Sequence, residues 1–220
     1  MNYFVTGTDT GVGKTLISCA LLHAFAAQGK RVVGMKPIAA GCDAQGQYED
    51  VLQLRAASNV AASYGQINPY CFVPAVAPHI AAHHAGVEIQ FTRIMTAYRE
   101  LAAQAQVVIV EGAGGVLVPL NKTHDVADLA LELDVPVILV VGMRLGCLNH
   151  ALLTVEAIAA RGLTLAAWVA NIIDDEMPAR EENIAALQQR IVAPLLGVVP
   201  YMQQISAQAA AGYLDVQRLM

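Results

Sequence analysis

Short, nearly unbroken apolar runs recur along the chain at residues 3–6, 31–35, 107–110, 135–141, 165–172 and 197–199. Most lack the strict alternation that marks a strand with one wet face, so the pattern predicts strands of a parallel sheet buried on both sides. Helix-length segments lie between them. Residues 16–28 are rich in Ala and Leu and stop at Gly29, a residue type that commonly ends helices. Residues 91–106, 125–134, 148–162 and 179–191 read as helices on the same grounds. The alternation predicts an α/β fold: a doubly wound, mostly parallel sheet with helices on both faces. Residues 38–86 are the least regular, broken by Gly41, Gly46, Gly65, Pro69, Pro74, Pro78 and Gly86. In open α/β sheets ligands bind beyond the carboxyl ends of the strands, so loops that follow strands are where chemistry is expected.

Composition narrows the classes. The 220 residues fit one large domain, residues 1–220, and no linker or internal repeat divides them. Hydrophobic residues make up 56% and charged residues 14%, with a mean hydropathy of +0.48, which excludes a disordered chain. The longest apolar stretch, residues 135–143, is about half of the ~20 residues a membrane-spanning helix needs, so it predicts a buried strand. A formal charge of −5 without a Lys/Arg cluster points away from nucleic acid and anionic membranes, and toward a small-molecule ligand. The first residues lack the basic and apolar regions of a secretory signal, so a cytoplasmic location is expected. Cys19, Cys42, Cys71 and Cys147 show no metal-binding or redox spacing and are expected to be reduced thiols; the histidines show no zinc pattern either.

Chemistry concentrates in three places. Gly7-Thr8-Asp9-Thr10-Gly11-Val12-Gly13-Lys14-Thr15 follows an apolar strand and opens a helix, the context of a phosphate-binding P-loop. Backbone N–H groups near Gly11 and Gly13 and the positive helix end can surround a polyphosphate. Lys14 then reaches the outer phosphates, and the Thr15 hydroxyl is placed for Mg2+. The spacing is a variant, because the strict pattern needs glycine at Thr8 and this chain has Gly7. Glu111, after residues 107–110 and before Gly112, Ala113, Gly114 and Gly115, is a strand-end carboxylate of the kind that holds Mg2+ or its water. Asp50 reads as a loop acid by composition. Lys36 ends a strand and precedes Pro37, so its ammonium can face the crevice and neutralise an anionic intermediate. Asn171 lies where an amide can read a base edge, and it suits cytosine or guanine as well as adenine.

With these residues identified, the chain closely resembles the dethiobiotin synthetases. The resemblance rests on Tyr-Phe-Val-Thr-Gly-Thr-Asp-Thr at 3–10, Val-Gly-Lys-Thr at 12–15, Lys-Pro at 36–37, Asn-Pro-Tyr at 68–70 and Pro-His-Ile at 78–80. It continues through Glu-Gly-Ala-Gly-Gly at 111–115, Leu-Gly-Cys-Leu-Asn-His at 145–150 and Trp-Val-Ala-Asn at 168–171. It implies a P-loop enzyme that joins CO2 to 7,8-diaminononanoate with ATP and closes a ureido ring, releasing ADP and phosphate. It further implies that Lys36 stabilises a carbamate, that Lys14 contacts phosphates, and that Thr15, Asp50 and Glu111 hold Mg2+. Gly11, Val12, Gly13, Lys14, Thr15 and Leu16, with Glu111, Gly112, Ala113 and Gly114, would line the phosphates. Asn171, Ile172, Pro200, Tyr201 and Met202 would enclose the base. Leu145, Gly146, Cys147 and Asn149 belong to the family's interface loop, which reaches the partner subunit's substrate, so a homodimer is implied. Where the family often carries an acid and a serine, this chain has Gly11 and Ala40; Ala40 is retained only as a residue lining the substrate.

Two other readings share the P-loop. A switch ATPase of the partitioning or metal-insertion type places a second lysine early in the loop, where this chain has Asp9. An amidase-type synthetase needs an attached glutaminase domain, for which no residues remain.

Overall fold

The computed structural model describes residues 1–203 and 206–219. In chain order the elements are β1 (Asn2–Gly7), α1 (Lys14–Ala27), β2 (Val32–Met35), β3 (Ile38–Ala40), α2 (Glu49–Ala57), α3 (Tyr64–Ile67) and β4 (Tyr70–Phe72). They continue as α4 (Pro78–His84), α5 (Phe91–Gln104), β5 (Val107–Gly115), α6 (Val126–Leu133), β6 (Val137–Met143) and α7 (Cys147–Ala160). The last are β7 (Leu165–Ile172), α8 (Arg180–Arg190), β8 (Leu195–Val199) and α9 (Ala207–Ala211).

Six strands form one sheet in the order β2-β5-β1-β6-β7-β8, every neighbour pair parallel. The unbroken apolar runs follow from burial of both faces. In β1, Phe4 packs with α5 and α6 residues such as Ile94 and Leu129, while the next residue, Val5, packs with Ile17 and Leu21 of α1. Successive side chains in a strand point to opposite faces, so each face needs its own apolar set. Leu139, Val141 and Trp168 build a third cluster under α7 and α8. Burying each such side chain contributes roughly 1.5–3 kcal/mol.

Several boundaries differ from the pattern. β6 begins at Val137, because Pro136 has no N–H to give the ladder; its carbonyl instead accepts from the Phe4 amide at 2.9 Å. β5 runs on to Gly115, so Glu111 lies inside a strand and not at its end. Residues 38–86 are the least regular stretch, as expected, yet they hold five short elements, β3, α2, α3, β4 and α4. Their elements are too short for periodicity to show, and Asp50 sits in the first turn of α2, where a negative charge suits the helix dipole. β3 and β4 pair as a parallel two-stranded sheet. That pairing brings Cys42 and Cys71 together, their Cα atoms 6.2 Å apart, and the two form a disulfide, contrary to the expectation of four reduced thiols. Cys19 and Cys147 are free and buried. Among the described residues, no helix is long and apolar enough to cross a membrane.

Candidate active site

β1 is central, with β5 on one side and β6 on the other, and the chain crosses from the first half of the sheet to the second between those two. A crevice is expected at such a reversal of strand order. A cleft of about 760 Å³ opens there. Its walls are the loop after β1, the end of β2 and β3, the start of α2, residues 75–78 and the end of β5.

The loop holds a conformation that needs its glycines. Gly11 and Gly13 have φ values of 74° and 89°, a region that costs little only without a Cβ. No side chain caps the N-terminus of α1, which leaves its first amides facing the loop. Lys14 Nζ donates to the Asp9 carbonyl at 2.9 Å, curling over the loop. Burial, reinforced by the charge of Lys36, pulls the Lys14 ammonium down to about 8, against the carboxylates of Glu111, Asp50 and Asp9. Asp9 turns its carboxylate to Arg144, 2.6 Å away.

Two side chains, from α1 and from the residue after β2, converge on Glu111, which is 1% exposed. Its Oε1 accepts from Lys36 Nζ at 2.5 Å and from Thr15 Oγ1 at 3.0 Å. Lys36 Nζ also donates to Asp50 Oδ2 at 3.0 Å. Burial disfavours the Lys36 charge, but the carboxylates of Glu111 and Asp50 outweigh it and hold the ammonium above its ordinary range. Glu111 Oε2 is buried with no hydrogen-bond partner among the described residues. An orphaned buried carboxylate oxygen on a residue lining the cleft is a place for a cation, and Glu111, Asp50 and Thr15 supply only oxygen, the donor Mg2+ prefers.

The remaining expected residues distribute unevenly. Gly11, Gly13, Lys14, Thr15, Lys36, Ala40, Asp50, Glu111, Ala113 and Gly114 line this cleft. Gly112 backs onto the Phe4 ring, where a Cβ would stand 2.9 Å from a ring carbon. Leu16 faces a separate cavity of about 370 Å³ between α1, α2 and residues 206–207. Asn171 is buried and its Nδ2 donates to the Val12 carbonyl at 2.9 Å. Ile172 is buried in the cluster under α7 and α8, Pro200 is half-buried, and Tyr201 and Met202 are exposed after β8. Leu145, Gly146, Cys147 and Asn149 are not on the cleft of their own chain: Leu145 is 87% exposed, whereas the Cys147 side chain is buried.

Two contributors were not expected as site residues. Tyr48 lines the cleft with its ring 5.9 Å from Lys36 Nζ, a cation–π contact reached because α2, which Tyr48 precedes, packs against β2. Asn68 donates to the Lys36 carbonyl at 2.6 Å and to the Tyr70 carbonyl at 3.0 Å, which fixes the backbone under Lys36. Asn68 opens the Asn-Pro-Tyr motif at 68–70 that carries part of the resemblance, which is the signal that could have found it.

A family profile described as an AAA domain matches residues 1–209. The ATP-dependent dethiobiotin synthetase BioD of Nitrosospira multiformis is 57% identical over 217 residues, 99% of this chain and 96% of the relative. The protein of the same name from Aromatoleum aromaticum is 58% identical over 213 residues, 95% of each chain. That of Pseudomonas aeruginosa strain UCBPP-PA14 is 49% identical over 221 residues, 99% of this chain and 97% of the relative. Among solved structures, the MinC:MinD cell division protein complex of Aquifex aeolicus matches with a TM-score of 0.56 at 14% identity, covering 98% of this chain and 88% of that one. The septum site-determining protein MinD complexed with Mg-ADP, from Pyrococcus horikoshii OT3, matches with 0.55 at 16% identity, covering 99% and 89%. At such identities the solved structures bear on the fold alone: α/β, with a parallel central sheet.

Proposed function

The chain belongs to the dethiobiotin synthetase family, and from that premise we propose how its own residues serve the reaction. The protein is an ATP-dependent cyclo-ligase that forms a ureido ring in biotin synthesis. Its substrates are 7,8-diaminononanoate, CO2 (or bicarbonate as its source) and ATP. One amine adds to CO2 and loses a proton, giving a carbamate. A carbamate oxygen takes the γ-phosphoryl group and ADP departs. The second amine then attacks the carbamate carbon, loses a proton, expels phosphate and closes the ring.

Phosphoryl transfer relies on positioning and charge neutralisation more than on covalent help from the protein. Lys14 and the amides of the loop supply positive potential to the phosphates. Lys36, fixed between β2 and the Asn68 amide, presents its ammonium to the carbamate. Thr15, Asp50 and Glu111 would hold Mg2+, which when bound neutralises phosphate charge. The observation that carries this reading is the convergence of Lys36, Asp50, Glu111 and Thr15 on one point beside the loop. The exposed Leu145 supports a homodimer whose interface loop completes the partner's substrate site, and the need for ATP supports a cytoplasmic location. The switch-ATPase reading is not favoured: the position of its second lysine is Asp9, already engaged with Arg144.

The deciding experiment follows phosphate release from MgATP and bicarbonate, with and without 7,8-diaminononanoate, and weighs the product. Release that depends on the diamine, with a product heavier by one carbonyl unit, is expected. Steady hydrolysis indifferent to the diamine would move the protein to the switch-ATPase class.

A further inference from the structure

Val12 is gripped at both its side chain and its backbone. The side chain is buried between two glycines: a Cβ on Gly7 would stand 2.6 Å from one Val12 methyl, and a Cβ on Gly142 would stand 2.8 Å from the other. The carbonyl accepts from Asn171 Nδ2 at 2.9 Å, across 159 residues of sequence. Gly142 and Asn171 are register partners in β6 and β7, so a single rung of the sheet holds both halves of Val12. The amide's orientation follows from chemistry, since only its NH2 end can face a carbonyl. A Cβ on Gly13 would clash with Nδ2, so the amide nitrogen presses end-on against the loop where only glycine leaves room.

We propose that Asn171 is a positioning residue for phosphate binding: acting through Val12, it holds the loop in its phosphate-receiving shape whatever base the nucleotide carries. The inference rests on the reading of residues 7–15 as the ATP phosphate site. Without the amide, the Val12 carbonyl is a buried acceptor without a partner, and the residue that follows it, Gly13, loses its anchor next to Lys14. A residue that only reads a base edge contributes nothing to a ligand without a base, and that difference can be measured.

The test titrates the intact protein with tripolyphosphate plus Mg2+, a base-free probe, and separately with MgATP, by calorimetry. Asn171→Ala and Asn171→Leu are compared with the parent; Leu fills the volume of the amide and offers no donor. The parent is expected to bind both ligands, and both variants to bind tripolyphosphate about 3- to 10-fold more weakly, as loss of one neutral hydrogen bond implies. ATP affinity falls by at least the same factor. Unchanged tripolyphosphate affinity beside weakened ATP would make Asn171 a base reader only and overturn the proposal. Full affinity in Asn171→Leu would reduce its role to packing and overturn it too, as would a parent that binds ATP and not tripolyphosphate. A parent that binds neither ligand would overturn the nucleotide-site reading itself and this inference with it.

Discussion

Lys36 and Glu111 form the buried centre of the site: the ammonium donates to Glu111 Oε1 at 2.5 Å, and Thr15 donates to that same oxygen. A lysine buried against two carboxylates has little freedom to move, so on the proposed reading its charge is already in place for the carbamate. Lys36→Gln is expected to lower diamine-dependent turnover by about 10²-fold or more while ATP affinity stays within a few-fold. It also strips a buried carboxylate of its counter-charge, a change that typically costs about 3–5 kcal/mol. The melting temperature of the ligand-free variant should therefore fall. Steady-state kinetics and a thermal melt read the two effects, and unchanged turnover would remove Lys36 from the reaction.

Thr15 lies one hydrogen bond, 3.0 Å, from Glu111, in the first turn of α1. Thr15→Val keeps the shape and removes the hydroxyl oxygen that, on the proposed reading, would ligate Mg2+. Nucleotide affinity in the variant should gain less from Mg2+ than in the parent, by about tenfold or more. ATP titrations with Mg2+ and with EDTA make the comparison, and an equal gain in both proteins would take Thr15 out of the metal site.

Much of this was legible in the pattern of the chain because the relevant signals are local. The run at residues 165–172 coincides with β7, and the glycines before Lys14 mark the loop, because burial of a strand and a turn with positive φ each demand particular residues nearby. Asp50 was different: its place beside Lys36 depends on α2 packing against α1 and β2, a tertiary event with no periodic trace in nine residues. The same holds for Tyr48 over Lys36 and for Cys42 with Cys71, which are joined by strand pairing across 29 residues. Asn171 illustrates a subtler case, since its residue type suggested an amide in the site and not the acceptor it meets.

The α6 capping box ties Asp125 and Asp128 to each other's amides, and Arg161 bridges both carboxylates. Burial raises the Asp128 carboxyl, but the Asp125 amide and the Arg161 guanidinium outweigh it and hold it below its ordinary 3.8. The unfolded chain therefore takes up this proton more readily than the folded one. The contribution to stability is complete above 3.8 and is lost as pH falls through the folded value. Relative to Asp128→Asn, the parent should be more stable by about 1 kcal/mol at neutral pH, given water screening at this part-exposed pair. The difference should shrink below pH 3.8. Urea unfolding at neutral and acid pH reads it, and a difference that grows on acidification would contradict the assignment.

The Cys42–Cys71 disulfide closes a loop that carries Tyr48 and Asp50. Constraining a loop of this length in the unfolded chain contributes about 2–4 kcal/mol. Oxidised protein, denatured without reductant and alkylated, should therefore label only at Cys19 and Cys147, and full reduction should lower its melting temperature. Labelling at four sites before reduction would show the pair to be open thiols.

Leu145 and Leu153 are 87% and 56% exposed, beside Gly146 and along α7, an apolar surface that a lone chain gains nothing by presenting to water. If a second copy covers it and the interface loop completes the partner's substrate site, one substitution should disturb assembly and substrate affinity together. Leu145→Asp places a charge in that contact, a change that an apolar interface tolerates poorly. Sedimentation should show a dimer for the parent and a shift toward monomer for the variant. The KM for the diamine should rise tenfold or more while MgATP affinity is unchanged, because the phosphate loop and Glu111 belong to one chain. A dimer that survives with its KM intact would place the interface elsewhere, and a parent that sediments as a monomer would require each cleft to bind its substrate alone.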